Sequence, residues 1–318
     1  MKIFANCLKF FLTCLVICGC QASSSPLEEW KKPNGKIKVL STTPIINDLV
    51  RRIGGERIDP LSLMGPSIDP HSYQLVKGDD EKFSIAQVVF YNGLGLEHSA
   101  SLKTLLIEHP YAIALGETIR QKKPNLILQN QGQDDPHIWL DVSIWQQAIT
   151  PIVSLLSEVD PAGKSYYTTQ GLKVEQELID LDLWMQSQLH AIPSEKKYLI
   201  TSHDAFNYFA RRYLQEENSS WRERFCAPEG LAPDGQLGFR DLERVINYLE
   251  QHQVKVLFSE ANVSHDSLKK IIEISNQKGI TVNLAPTQLL SDTFLLEESY
   301  EAMMKHNTLV LCKAWSNS

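Results

Sequence analysis

Cysteine is scarce in the part of this 318-residue chain that can fold. Four of its six cysteines lie within the first twenty residues, which leaves Cys226 and Cys312 in the remainder. No Cys-x-x-Cys pair is left, so the sequence excludes a thiolate zinc site and a dithiol redox motif of that kind. The zinc-protease motif His-Glu-x-x-His is also absent. Metal chemistry in this chain must therefore rest on histidine and carboxylate side chains.

Positive charge and long apolar runs are scarce as well. The chain has 31 basic and 38 acidic side chains and a net charge of −7. This balance argues against nucleic acid as a partner and against a basic membrane-binding face. Beyond the first twenty residues, no apolar run approaches the roughly 20 residues that a transmembrane helix needs.

The first twenty residues have the composition of a secretion signal. Lys2 and Lys9 precede a short apolar run at residues 10–19, and no acidic residue appears before Glu28. Because the run is too short to span a bilayer, we predict that residues 1–19 are a signal peptide. Their removal leaves 29 basic and 38 acidic groups, a net charge of −9.

The end of this leader, Ile17-Cys18-Gly19-Cys20, resembles the lipobox of bacterial lipoproteins, in which the cysteine after a small residue is lipidated. The resemblance implies that Cys20 becomes the lipidated N-terminus and anchors the protein in the bacterial cell envelope, on the periplasmic side. The alternative is that the leader is an ordinary signal peptide and that Cys20 is not lipidated. Residues 20–35 are rich in Ser, Pro, Lys and Glu, and are predicted to form a tether.

Two cysteines remain in a chain that its leader directs to an oxidising compartment. We therefore predict a disulfide between Cys226 and Cys312. It would close a loop of about 86 residues and stabilise the fold by about 4–5 kcal/mol in the chain-entropy model.

Strand and helix signals alternate along most of the chain. Short apolar runs such as Ile37–Ser41 and Val88–Tyr91 are each followed by a segment with helical spacing. This alternation predicts an α/β fold in which mainly parallel sheets are flanked by helices. In such sheets, ligands collect beyond the carboxyl ends of the strands.

Residues 161–191 depart from the alternation and predict one helix of about 45 Å. We interpret it as a rigid connection between two α/β lobes, residues 36–160 and residues 192–318. The alternative is an ordinary surface helix that breaks near Gly171.

The tripeptide Asp-Pro-His occurs twice, at residues 69–71 and 135–137, each time before a predicted helix. Proline fixes its own φ and restricts the residue before it, so the histidine leaves the loop in a restricted direction. Such restriction suits a metal ligand, and both copies have an aromatic neighbour, Tyr73 or Trp139. The alternative is that Asp-Pro marks a turn and a helix start, with the histidine on the surface. His203 also stands at the carboxyl end of a predicted strand.

Four short motifs, in their order and spacing, resemble the ligand motifs of the metal-binding lipoproteins of bacterial ABC importers. They are His71 in Asp-Pro-His-Ser-Tyr, His137 in Asp-Pro-His-Ile-Trp-Leu-Asp, His203 in Ser-His-Asp-Ala-Phe and Asp292 in Leu-Leu-Ser-Asp-Thr. This family, the cluster A-I solute-binding proteins, comprises zinc, manganese and iron carriers with two lobes joined by one long helix. The resemblance covers essentially the whole mature chain.

The resemblance implies that His71 and His137 of the first lobe, with His203 and Asp292 of the second, hold one divalent metal ion in the interlobe cleft. Three imidazoles and one carboxylate suit Zn²⁺, Mn²⁺ or Fe²⁺, whereas Ca²⁺ and Mg²⁺ favour all-oxygen shells. It further implies a monomer, not an enzyme, that delivers the ion as cargo to an ABC permease and its ATPase. The long His-rich loop of many zinc importers in the family is absent, which removes one argument for zinc.

The sequence also allows other functions and leaves the roles of several carboxylates undecided. A secreted zinc hydrolase would use three histidines and an open water position, and the surface adhesin label is often attached to the family. Asp135, Asp141 and Asp204 are candidates either to accept the second ring proton of a ligand histidine or to cap helices. Glu260 ends a predicted strand near the cleft and is a further candidate for such an outer position.

Overall fold

The computed structural model of the chain describes residues 26–130, 132–217, 219–232, 238–294 and 299–317. The predicted signal peptide and the predicted lipidation site at Cys20 lie outside the described residues. Among the helices of the described part, none is long and apolar enough to cross a membrane.

Four parallel strands form the sheet of the first half. They are β1 to β4, at Ile37–Ser41, Ile58–Ser62, Val88–Tyr91 and Ala112–Ala114. Their order is β2-β1-β3-β4, which places β2 at an edge. Pro60 lacks a backbone N–H and is tolerated in β2 because an edge strand pairs on one side only.

Five helices accompany this sheet. They are α1 to α5, at Pro26–Trp30, Pro44–Gly54, Asp79–Ile85, Ala100–Glu108 and Leu115–Lys122. The bounds of α2 follow from its sequence: Thr43 Oγ1 accepts the N–H of Ile46 at 3.3 Å, and Pro44 fits the first turn. The helix stops where Gly55 takes a positive φ of 51°.

The N-terminal segment is more ordered than its composition predicts. The prediction of a tether over residues 20–35 is wrong for Pro26–Trp30, which forms helix α1. Trp30 is 4% exposed, and its indole N–H donates to the carbonyl of Asp59 at 2.9 Å. The buried Trp30 ring fixes this segment to the first half, a contact that average composition does not predict.

A hairpin and three helices lead out of the first half. They are β5 at Gln129–Asn130, β6 at Gln133–Asp134, α6 at Val142–Trp145, α7 at Ile149–Val159 and α8 at Lys164–His190. The 27 residues of α8 follow a short 3-10 turn and span about 40 Å, which confirms the predicted long helix. Gly171 does not break it: a Cβ there would lie 2.9 Å from Val153, so glycine lets α7 and α8 approach closely.

Two pairs of short parallel strands form the second half. They are β7 to β10, at Leu199–Ile200, Phe225–Cys226, Val256–Leu257 and Asn283–Leu284. β7 pairs with β8 and β9 with β10, and the N–H of Phe258 donates to the carbonyl of Ile200 at 2.9 Å. That bond sets the two pairs side by side. The predicted α/β class with mainly parallel strands is confirmed.

The helices of the second half are α9 to α12, at Asn207–Phe209, Phe239–Gln251, Asp266–Gln277 and Tyr300–Asn317. A π-helical turn, Ala210–Leu214, continues α9. The sequence predicts the last helix only near residues 297–306, whereas α12 runs to Asn317. Met304, Leu311 and Trp315 are buried at helical spacing, so the apolar stripe continues past the predicted end.

One buried apolar cluster connects the two halves. It includes Val39 of the first sheet, Leu178 of α8, and Phe258 and Trp315 of the second half. The predicted lobes therefore share packing along α8 and α12.

The predicted disulfide is wrong, because Cys226 and Cys312 are both free. Cys226 ends β8 in a cluster of the second half, where Arg244 donates to its sulfur at 3.2 Å. Cys312 packs on α12 beside the main cluster, with its sulfur 3.7 Å from the carbonyl of Gln188 in α8. The two thiols therefore pack against different apolar clusters.

Candidate metal centre

Four loops, each near the end of a strand or the start of a helical turn, bring the predicted ligands together. His71 lies between β2 and α3, and His137 precedes the 3-10 turn Ile138–Leu140. His203 follows β7, and Asp292 lies in the segment after β10. All four side chains are buried, and one ligand atom from each lies within 4.8 Å of the others.

The distances inside this group match a small coordination shell. His71 Nε2 lies 3.2 Å from His137 Nε2. The carboxylate of Asp292 lies 4.0 Å from His71 Nε2, 3.6 Å from His137 Nε2 and 3.4 Å from His203 Nε2. Two atoms bound to one tetrahedral Zn²⁺ at 2.0–2.1 Å are separated by about 3.3 Å. The donor atoms are thus spaced to hold one metal ion.

Both Asp-Pro-His copies fold in the same way. Asp69 Oδ1 accepts the backbone N–H of His71 at 2.9 Å, and Asp135 Oδ1 accepts that of His137 at 3.0 Å. The tripeptide therefore forms a turn, as the alternative interpretation predicts. The histidine is buried, however, and the turn directs it into the metal centre.

Two carboxylates orient the imidazoles from behind. Asp135 Oδ1 lies 2.7 Å from His137 Nδ1, and Glu260 Oε2 lies 2.8 Å from His203 Nδ1. Glu260 Oε1 also accepts the backbone N–H of His203 at 3.0 Å. In both histidines Nδ1 faces a carboxylate and Nε2 faces the centre, the arrangement that carboxylate–histidine–metal sites use.

Asp292 is held from its own half and from the first half. Its Oδ2 accepts from Asn262 Nδ2 at 3.2 Å and from the hydroxyl of Ser291 at 3.2 Å. The indole N–H of Trp139 donates to the carbonyl of Ser291 at 2.6 Å. Asp292 Oδ1 and His203 Nε2 are buried and have no hydrogen-bond partner among the described residues, which a bound cation would supply.

The pKa values of His71 and His203 are shifted in opposite directions. Burial lowers the pKa of His71 to about 3, against the opposing carboxylate of Asp292. Burial also acts to lower the pKa of His203, but the carboxylates of Glu260 and Asp292 outweigh it and raise that pKa to about 10. In the metal-free protein, His71 is therefore a ready neutral ligand and His203 carries a proton at neutral pH.

The remaining candidates divide between the two roles considered for them. Asp135 and Glu260 contact ligand histidines, as described above. Asp141 caps α6, accepting the N–H of Ser143 at 2.9 Å. Asp204 accepts from Asn130 and does not bond to the ligand next to it. Burial raises the pKa of Asp204 to about 6, with Asp135 adding to the effect.

Sequence reasoning missed the side chains that hold the ligand loops from a distance. Trp139 was visible only as an aromatic neighbour of His137, Ser291 only as part of the motif around Asp292, and Asn262 carried no signal. Asn207, from the second half, donates to Asp135 Oδ2 at 3.1 Å and was missed in the same way. The sequence signals for these supporting side chains are the position of Trp139, two residues after His137, and that of Ser291, next to Asp292.

The ligand group consists of three imidazoles and one carboxylate, and it is buried in an α/β fold with parallel strands and one long helix. These features define a metal-binding solute-binding protein. Residues 39–314 match the family described as zinc-uptake complex component A, periplasmic, and the chain belongs to this family. Relatives in this family are named as substrate-binding lipoproteins of ABC metal transporters.

Individual relatives agree with this assignment. Metal-binding protein YtgA of Chlamydia pneumoniae is 36% identical over 305 residues, 95% of this chain and 91% of that protein. Manganese-binding lipoprotein MntA of Bacillus subtilis is 32% identical over 302 residues, 93% and 94% of the two chains. The crystal structure of Fe(III)-bound YtgA from Chlamydia trachomatis superposes with a TM-score of 0.83 at 36% identity, covering 88% of this chain and 98% of that one. The family supports neither the hydrolase nor the adhesin reading.

Proposed function

We propose that this protein captures one transition metal ion outside the cytoplasm and delivers it to an ABC permease for import. The observation that carries the proposal is the buried group of His71, His137, His203 and Asp292, whose ligand atoms lie within 4.8 Å of one another. Two of these ligands come from each half, so the ion would be held between the halves.

The ligand count favours binding over catalysis. A catalytic zinc site keeps one position open for water or substrate, whereas four protein ligands close a tetrahedral shell. Asp135 and Glu260 are engaged with ligand imidazoles. We therefore assign the protein no enzymatic activity, and the ion is cargo.

The donor set limits the cargo to a class of ions. Imidazole and carboxylate together suit zinc, manganese and iron, and the relatives described above include one named for manganese and one crystallised with Fe(III). Affinity in vitro follows a general order that places zinc above manganese and iron. The strongest binder in a test tube is therefore not evidence for the cargo in the cell.

We also propose that Cys20 is lipidated and anchors a monomer at the periplasmic side of the cell envelope. The leader sequence supports this, as does the description of the relative MntA as a lipoprotein. Residues 36–160 and 192–318 would act as the two lobes and residues 161–191 as their rigid connection.

Alanine variants of the four ligands test the site. Each of His71→Ala, His137→Ala, His203→Ala and Asp292→Ala should weaken binding by more than the roughly 10–100-fold that the loss of an outer partner costs. Affinity is measured by competition against a chelator, after metal analysis of protein purified without added metal. Uptake of radioactive metal by cells that carry each variant as their only copy tests delivery.

His265→Ala is the matched control. His265 precedes α11, is partly exposed, lies 3.5 Å from Gln288 and is not one of the grouped ligands. Its removal should leave both affinity and uptake unchanged. Loss of affinity in His265→Ala equal to that in His137→Ala would show that histidine removal acts through the fold, and the proposed site would be withdrawn.

A further inference from the structure

Helix α1 is fixed to the first half by its last residue. The Trp30 ring is buried in a cluster with Leu63, Met64 and Phe83, and its N–H is bonded to the Asp59 carbonyl. The ammonium group of Lys38 lies 5.8 Å from the centre of the ring, within range of a cation–π contact. These contacts make α1 part of the first half.

The same helix also lies against the segment that carries His71. We call residues 65–78, between β2 and α3, the ligand loop. Leu27 of α1 packs against the same buried cluster as Tyr73 and Leu75 of the loop. A Cβ on Gly78, the last loop residue, would lie 3.3 Å from Leu27 Cδ2. Just beyond the loop, Glu81 pairs with Lys31 at 2.6 Å.

The ligand loop depends on such contacts because it contains no helix or strand. One end is held by Asp79, whose Oδ2 accepts from the Tyr73 hydroxyl and from the N–H of Val76, each at 2.7 Å. Near the other end, Ser67 has a φ of 66°, a conformation that costs a non-glycine residue energy. The position of His71 is thus set by side-chain packing and not by a backbone ladder.

We propose that α1 is a positioning element for the metal centre: Leu27 and Trp30 hold the ligand loop, and through it His71, in the geometry that binds the ion. This inference rests on the proposed role of His71 as a ligand. Because coupling between two sites is reciprocal, bound metal should in turn protect α1 from opening.

The test compares two leucines of the same cluster in the full-length protein. Leu27→Ala removes a contact with Gly78 of the loop, whereas Leu105→Ala removes a partly buried side chain that packs on the same cluster from another helix, α4. Leu27→Ala should weaken metal binding by about 2- to 30-fold, the range for residues that couple to a ligand without touching it. Leu105→Ala should lower thermal stability and leave affinity unchanged.

Hydrogen exchange distinguishes a positioning role from general stabilisation, because a residue that only stabilises the fold would not selectively change exchange in the ligand loop. In the metal-free protein, amides of residues 71–78 should exchange faster in Leu27→Ala than in Leu105→Ala. Trp30→Phe, which keeps a buried ring and removes the bond to Asp59, should give the same pattern if Leu27→Ala folds poorly. In the parent protein, added metal should slow exchange in residues 27–31.

Equal affinities and equal loop exchange in Leu27→Ala and Leu105→Ala would overturn the proposal. A different result would show that the proposed metal site is wrong: His71→Ala would bind metal as tightly as the parent protein, whatever the exchange data show.

Discussion

Trp139 of the first half donates its indole N–H to the backbone carbonyl of Ser291 of the second half, at 2.6 Å. Trp139 lies two residues after the ligand His137, and Ser291 immediately precedes the ligand Asp292. The Tyr300 hydroxyl donates to the carbonyl of Trp139, also at 2.6 Å. A single indole therefore links the loops of two ligands that come from different halves.

Trp139→Phe should speed the release of metal. The phenyl ring keeps most of the packing, but the buried carbonyl of Ser291 loses its partner, a penalty of about 1–3 kcal/mol. If that penalty falls on the metal-bound state, the dissociation rate should rise about 5- to 150-fold. Stopped-flow mixing of loaded protein with excess chelator measures it.

Trp145→Phe is the control for this experiment. Trp145 is also fully buried, but its indole nitrogen has no hydrogen-bond partner among the described residues. Its replacement should leave the dissociation rate near the parent value. Equal acceleration in both variants would attribute the effect to lost ring volume and not to the bond with Ser291.

Glu260→Gln should weaken metal binding by about 10–100-fold, the usual cost of losing an outer carboxylate partner. The amide keeps the shape of the side chain, but it removes the negative charge that lies 2.8 Å from His203 Nδ1. Asp141→Asn serves as the comparison, because Asp141 caps α6 and contacts no ligand. Chelator competition should find affinity unchanged in Asp141→Asn; an equal drop in both variants would contradict the assigned role of Glu260.

Metal binding at pH 8 should release about one proton, from His203. A histidine with a reference pKa near 6.5 is already neutral at that pH, but the pKa of His203 is raised to about 10. The metal displaces that proton, so affinity should rise about tenfold per pH unit through this group as pH increases towards 10. His71, with its pKa lowered to about 3, should contribute no proton.

Calorimetry in buffers of different ionisation enthalpy counts the released protons. Glu260→Gln removes the larger of the two charges that hold the proton on His203, so proton release at pH 8 should fall in that variant. Release near zero in the parent protein would mean that His203 is neutral before metal arrives.

Both thiols of the folded part should react with a thiol reagent in denaturant without prior reduction. Cys226 and Cys312 are free, and burial raises the pKa of each thiol. Both should therefore react slowly in the native protein. The finding of no reactive thiol after denaturation would restore the disulfide that the sequence predicts.

Metal binding should change the overall dimensions of the protein little. α8 runs without interruption for 27 residues, and the main apolar cluster extends across both halves. Small-angle scattering with and without metal should give nearly the same radius of gyration. A large change would show that the shared core opens.

The sequence alone determined the features that local pattern encodes. Alternating strand and helix signals predicted the α/β class, and the run after Pro161 predicted the long helix. His71, His137, His203 and Asp292 could be chosen because each sits in a short, recognisable motif. Turn chemistry and helical periodicity involve residues near one another in the chain, so the sequence displays them directly.

Tertiary structure decided every pairing between distant residues. Only the fold shows that Glu260 supports His203, 57 positions away, or that Trp139 meets Ser291, 152 positions away. The same holds for Cys226 and Cys312: the secretion signal suggested a disulfide between them, but the packing leaves both thiols free. Trp30 likewise anchors a segment whose composition favours disorder. Such contacts depend on how distant elements pack, and no local pattern carries that information.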